Sequence, residues 1–177
     1  MIDPNTNVNG EEFEAYNIRR WGSSGWTRHL KQEGRKSGAN FANWQSWPNT
    51  LKAHRLVKYC QEKCNIDTNR SNEALFEALY EQGENISLVP ALLSVGETLG
   101  VEDVDDLRSY LESNDGEDDV KADIEKGRRQ YRISGVPFFV IGIEDESSDG
   151  WTQPPYGLSG AQSTSTFVEI FDELSNE

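Results

Sequence analysis

The stretch SGVPFFVIGI, residues Ser134–Ile143, decides the fold. From Val136 to Ile143 it is β-branched and aromatic, with no charge, which reads as a buried strand. Pro137 stands at its opening. A proline cannot donate to a strand ladder, so it is confined to an edge or a first position. A cis X-Pro bond that turns the chain into the strand is one reason to place it there, and a trans edge proline is the other.

Working outward toward the C-terminus, residues Glu144–Pro155 read as an acidic loop with glycine and proline. Tyr156–Ala161 reads as a second short strand. Thr164–Leu174 reads as a terminal helix with Phe167, Ile170, Phe171 and Leu174 on one face. Toward the N-terminus the pattern is helical almost throughout. Glu11–Trp21 and Trp26–Lys36 are helices separated by Gly22-Ser23-Ser24-Gly25. An aromatic stretch, NFANWQSWPN, covers Asn40–Asn49. The spacing of Ala53, Leu56, Val57, Cys60 and Cys64 predicts a helix over Thr50–Cys64, with Asn49 or Thr50 as its cap. Further helices are expected over Ser71–Gln82, Leu88–Leu99, Val104–Leu111 and Asp118–Tyr131, with Gly83 and Gly100 just past two of the ends. The expected fold is therefore α/β but mostly helical by residue count. A helical region spans 11–131 and an antiparallel strand–strand–helix portion spans 132–177, with no linker to divide the 177 residues into two domains.

Composition sets the outer limits. The chain carries a net charge of −14, and 35% of its residues are hydrophobic and 27% charged, as in a folded soluble domain. Much of the acid falls in Glu102–Glu125 and Glu144–Asp149, a solvated surface that repels phosphate backbones, so no nucleic-acid partner is expected. No apolar run approaches membrane-span length and the first residues carry no secretory signal, so a cytoplasmic, reducing location is expected and no membrane contact. With two cysteines, Cys60 and Cys64, the chain is no disulfide scaffold.

Five segments in order carry a resemblance. They are Asn49-Thr50 with Ala53-His54-Arg55, then Leu75-Phe76 with Ala78 followed by Glu84–Ser87, then Leu99-Gly100-Val101, then Gly135–Ile141, and finally Ser159-Gly160-Ala161-Gln162. In this order the chain resembles the DsbA-like branch of the thioredoxin superfamily, the group of FrnE-type proteins and 2-hydroxychromene-2-carboxylate isomerases. The resemblance runs from Phe13 to Leu174. It implies a partial thioredoxin-like fold with a large helical insertion and membership of a thiol–disulfide oxidoreductase family. It also implies that the backbone of Val136 and the ring of Pro137 contact an extended peptide or small thiol substrate. In the family a first strand, a C-x-x-C turn at a helix N-terminus and a second strand come first. Met1–Pro4 looks like the end of that second strand, so the expectation is a domain truncated at its N-terminus, inactive as written. A kappa-type glutathione transferase or isomerase relative and a non-enzymatic binding module are the alternatives.

No C-x-x-C occurs. Cys60 and Cys64 are four residues apart on an expected helix, where Cβ atoms stand roughly 5–6 Å apart, whereas a disulfide wants about 3.8 Å. Core packing is the preferred reading for both, and no catalytic residue, metal ligand set or cofactor is assigned. His54 and His29 read as structural or surface residues. Trp21, Trp26, Trp44 and Trp47 read as core ahead of an apolar substrate groove. The strand at Val136–Ile143, paired on one side only, would offer an open edge for self-association.

Overall fold

The computed structural model describes residues 5–145, 147–148 and 150–176. The expected strand remnant at Met1–Pro4 lies outside the described residues. The chain forms two compact units, residues 3–121 and 122–177, and the division falls inside a helix. Helix makes up 55% of the chain, so the α/β fold is helical by bulk. None of the described helices is long and apolar enough to cross a membrane.

The first unit opens with β1 (Glu11–Glu12), which pairs antiparallel with β2 (Ser46–Trp47). Between them lie α1 (Phe13–Trp21) and α2 (Thr27–Lys36). The helix expected from Glu11 begins two residues later. Glu12 takes an extended conformation there, and its carboxylate accepts the amides of Glu14 and Ala15, capping the first turn. The two-residue pair β1–β2 has no alternating pattern from which it could be read.

The core is built on α3 (Leu51–Cys64), α4 (Thr68–Phe76), α5 (Val89–Leu99) and α6 (Val104–Glu112). Ala53, Leu56, Tyr59 and Cys60 on α3 are buried, and they pack with Leu75, Leu79, Leu92, Val95, Leu107 and Leu111. Each fully buried leucine contributes about 1.5–3 kcal/mol through loss of apolar surface from water. Gly96 lets α5 and α6 approach: a Cβ there would stand 2.5 Å from a Leu107 methyl. Thr50 precedes α3 without a side-chain cap bond, while Asn49 Oδ1 accepts the Leu51 amide at 3.2 Å.

The single helix expected over Ser71–Gln82 is divided. Asp67 caps α4 by accepting the amides of Asn69 and Arg70, and a π-turn follows at Glu77–Glu81. A helix that widens for one turn keeps its apolar residues near the spacing of an ordinary one, so the pattern does not announce it. The turn ends at Gly83, with φ +80°.

α7 (Glu117–Gln130) runs from the first unit into the second. The second unit holds β3 (Phe138–Ile141), β4 (Glu144–Asp145), β5 (Gly150–Trp151), β6 (Tyr156–Ser159) and α8 (Thr164–Ser175). β3 pairs antiparallel with β6, Phe138 opposite Ser159 and Ile141 opposite Tyr156. Two expectations are corrected here. The acidic segment after Ile143 is no plain loop, because Glu144–Asp145 and Gly150–Trp151 pair as a small hairpin. The second strand ends at Ser159 instead of Ala161, because Gly160 enters the left-handed region at φ +83° and breaks the extended run. On α8, Ile170 and Leu174 are buried while Phe171 stays largely exposed.

Candidate functional site

The second unit presents its loop at Val136 and Pro137. The peptide bond between them is cis. Val136 is 58% exposed. Its backbone N–H and carbonyl have no hydrogen-bond partner among the described residues, so an extended backbone could pair with them. Pro137 is anchored from the other side: its carbonyl accepts the Gly160 amide at 2.8 Å. The turn Ser159–Gln162 thus fixes the loop, with Gln162 Nε2 donating to the Ser159 and Gly160 carbonyls. Phe139 packs edge-to-face on Phe167 of α8, centroids 5.0 Å apart, which holds β3 on the helix. Among the described residues β3 has β6 as its one strand partner, so its other edge is open.

The sequence brought out both Pro137 and the Ser159–Gln162 turn but gave no sign that they touch. Twenty-three residues separate them, and the link is a main-chain bond that side-chain chemistry does not advertise.

The two thiols lie in the first unit, on α3. Cys60 is fully buried on α3 and Cys64 is partly buried at the same helix's last turn, and both are free. Burial, and then the neighbouring Cys64, push the Cys60 thiol up to about 11. Burial also raises Cys64, with Asp106 and Glu102 adding in the same direction. A nucleophilic thiol requires the reverse, a thiolate favoured by positive potential. Among the described residues no group of three histidine, cysteine or acidic side chains could hold a metal ion. His29 and His54 are exposed.

The tryptophans divide between the two readings. Trp44 is buried and stacks on Trp47 at 5.6 Å, with Phe13, Phe41 and Tyr80 around it. Trp26 donates its indole N–H to Asn17 at 2.8 Å, yet it and Trp21 remain about half exposed.

These features meet the comparisons with known proteins. Residues 26–172 match the family profile of the DSBA-like thioredoxin domain. The chain belongs to that family. Among solved structures it is similar to a "probable DsbA oxidoreductase" from Streptomyces coelicolor, at 22% identity and a TM-score of 0.67, over 99% of this chain and 73% of that one. At that identity the likeness shows the fold alone. No curated protein matches the chain. The DSBA-like match takes in α2 through most of α8, and therefore both the Val136–Pro137 loop and the turn that anchors it.

Proposed function

We propose that this DSBA-like domain serves thiol–disulfide exchange as a docking element. In this reading the main chain of Val136 and the ring of Pro137 receive an extended peptide or a small thiol, and Cys60 and Cys64 take no part in the exchange. The observation that carries it is the unpaired, exposed backbone of Val136 beside the open edge of β3, on a loop held by Gly160. An added strand gains main-chain hydrogen bonds from such an edge, and side-chain pockets then set specificity. The same edge can receive a second copy of β3. Two buried or half-buried free thiols with raised pKa accord with a reducing, cytoplasmic setting.

The reading is tested by insulin reduction with dithiothreitol or glutathione as reductant, together with amide chemical shifts on adding an extended peptide. The expected result is no turnover above background by these 177 residues and peptide-dependent shifts at Val136 and along β3. Turnover above background that is lost on replacing Cys60 and Cys64, or shifts confined to other parts of the chain, would overturn it.

A further inference from the structure

The first unit contains a cavity of about 610 Å³ between residues 37–41 and one face of α4 and the π-turn. That volume lies in the range of small-molecule sites. Asn72, Glu73, Phe76, Glu77 and Tyr80 recur at steps of three and one, which places them along a single helical face toward the cavity. Three aromatic rings form its wall. Phe41 meets Tyr80 edge-to-face at 5.1 Å, and Tyr80 meets Phe76 at 5.9 Å. Phe76 is 57% exposed, an apolar ring left facing water.

The carboxylates differ in what they already do. Glu81 is committed to the fold, accepting the amides of Phe41 at 2.8 Å and Ala42 at 3.1 Å and so holding the 37–41 segment in place. The carboxylates of Glu73 and Glu77 have no ion-pair or hydrogen-bond partner among the described residues. A wall of π faces beside two uncommitted carboxylates favours a ligand that is both cationic and organic. The ring quadrupoles attract positive charge at about 6 Å or less, and the carboxylates add charge-assisted hydrogen bonds. A calcium or magnesium ion wants six or more oxygens and gains little from aromatic rings. An anion is repelled, and a neutral apolar ligand would strip water from the carboxylates without replacing it.

We propose that this cavity binds an organic cation, a guanidinium or alkylammonium group on an apolar stem. The stem lies on Phe76 and Tyr80 and the charged head reaches Glu73 and Glu77. The cavity is lined by residues of the first unit, and the proposal does not rest on the function of the Val136–Pro137 loop.

The test is a titration of the whole chain, by calorimetry and by ring-proton chemical shifts, with N-acetyl-arginine methylamide, its neutral citrulline counterpart and spermidine. Saturable binding of the arginine probe or spermidine that shifts Phe41 and Tyr80, with the citrulline probe about tenfold weaker, supports the site. Tighter binding of spermidine assigns a free amine, and tighter binding of the arginine probe assigns a basic peptide side chain. Phe76→Ala, and separately Glu73→Gln with Glu77→Gln, should each weaken binding about tenfold. These are exposed positions, and far-UV circular dichroism verifies the fold. Equal binding of arginine and citrulline probes, no saturable binding of either cation, or folded variants that bind like the parent would overturn it.

Discussion

The guanidinium Nε–H of Arg55 donates to the main-chain carbonyl of Asp115 at 2.7 Å. The side chain is 2% exposed. Its remaining donors go to the carbonyls of Ser113 at 3.1 Å, Leu111 at 3.4 Å and Tyr110. Tyr110 and Leu111 belong to the last turn of α6, whose carbonyls have no partner within the helix, and Ser113 and Asp115 follow it; a cation at that end also meets the favourable end of the helix dipole. The ring of Tyr110 adds a face 5.0 Å from the guanidinium carbon. Arg55→Met should therefore take this partner from the carbonyls of Leu111, Ser113 and Asp115, with Tyr110 keeping its bond from Ser113 Oγ, and destabilise the chain by about 3–5 kcal/mol, read from urea unfolding. Arg55→Lys keeps the charge but loses the planar fork, and should fall between parent and Arg55→Met.

The thiols make a prediction that separates packing from redox chemistry. Cys60 is 0% exposed and its thiol is pushed up to about 11 by burial and by Cys64. Treatment of the native chain with a disulfide reagent at pH 8 should label Cys64 alone, and slowly. Cys60 should react only after denaturation, as followed by mass spectrometry. Labelling of Cys60 in the folded chain at a rate near that of a free thiol would contradict the core reading.

The same groups set an alkaline limit. Burial raises Tyr59, with its hydroxyl bonded to Asp106 at 2.7 Å and that carboxylate adding to the shift. Burial also raises Tyr80 and Tyr110. A group whose folded pKa lies above its unfolded value contributes stability below the unfolded pKa and loses it as pH climbs through the folded one. For Cys60 the unfolded thiol titrates near 9.0 and the folded one at about 11, so the loss falls in that window. Urea midpoints should decline from pH 9 to pH 11, and Cys60→Ala should show a shallower decline than the parent.

Much of this architecture is readable from residue spacing. The α3 face at Ala53, Leu56 and Cys60, the left-handed glycine after α5 and the strand at Phe138–Ile141 all follow from local patterns. What the sequence hides are features whose partners are main-chain atoms far along the chain. Arg55 is an unremarkable cation until the carbonyls of 110–115 are placed around it, since those carbonyls carry no side-chain signature. The same holds for Gly160 and Pro137. The π-turn escapes for a different reason: one widened turn leaves the 3.6-residue pattern nearly intact. The cavity between residues 37–41 and α4 escapes because it joins a loop to a helix face through Glu81, forty residues from Phe41.

The open edge of β3 predicts association that charge can suppress. Val136 stands exposed at its head, and a lysine there places a charge where a second edge would have to approach. The parent chain should show a concentration-dependent increase in mass by sedimentation. Val136→Lys should sediment as a monomer over the same range with an unchanged circular dichroism spectrum. A variant that associates as the parent does would place the contact elsewhere.

The turn at Gly160 can be probed without disturbing any neighbour. A Cβ added there meets nothing within 4 Å, so Gly160→Ala tests backbone conformation alone. At φ +83° an L-residue pays the left-handed penalty, about 1–2 kcal/mol. The alternative, a residue that leaves this region, gives up the 2.8 Å bond to the Pro137 carbonyl and frees the loop. Gly160→Ala should thus lower stability by about 1–2 kcal/mol in urea unfolding and broaden or shift the amide resonances of Val136 and Phe138. Gly38 supplies the control: it too has a positive φ and open space around its Cβ, but it lies in the first unit. Gly38→Ala should have a stability cost of similar size while leaving the resonances of Val136 and Phe138 where they are.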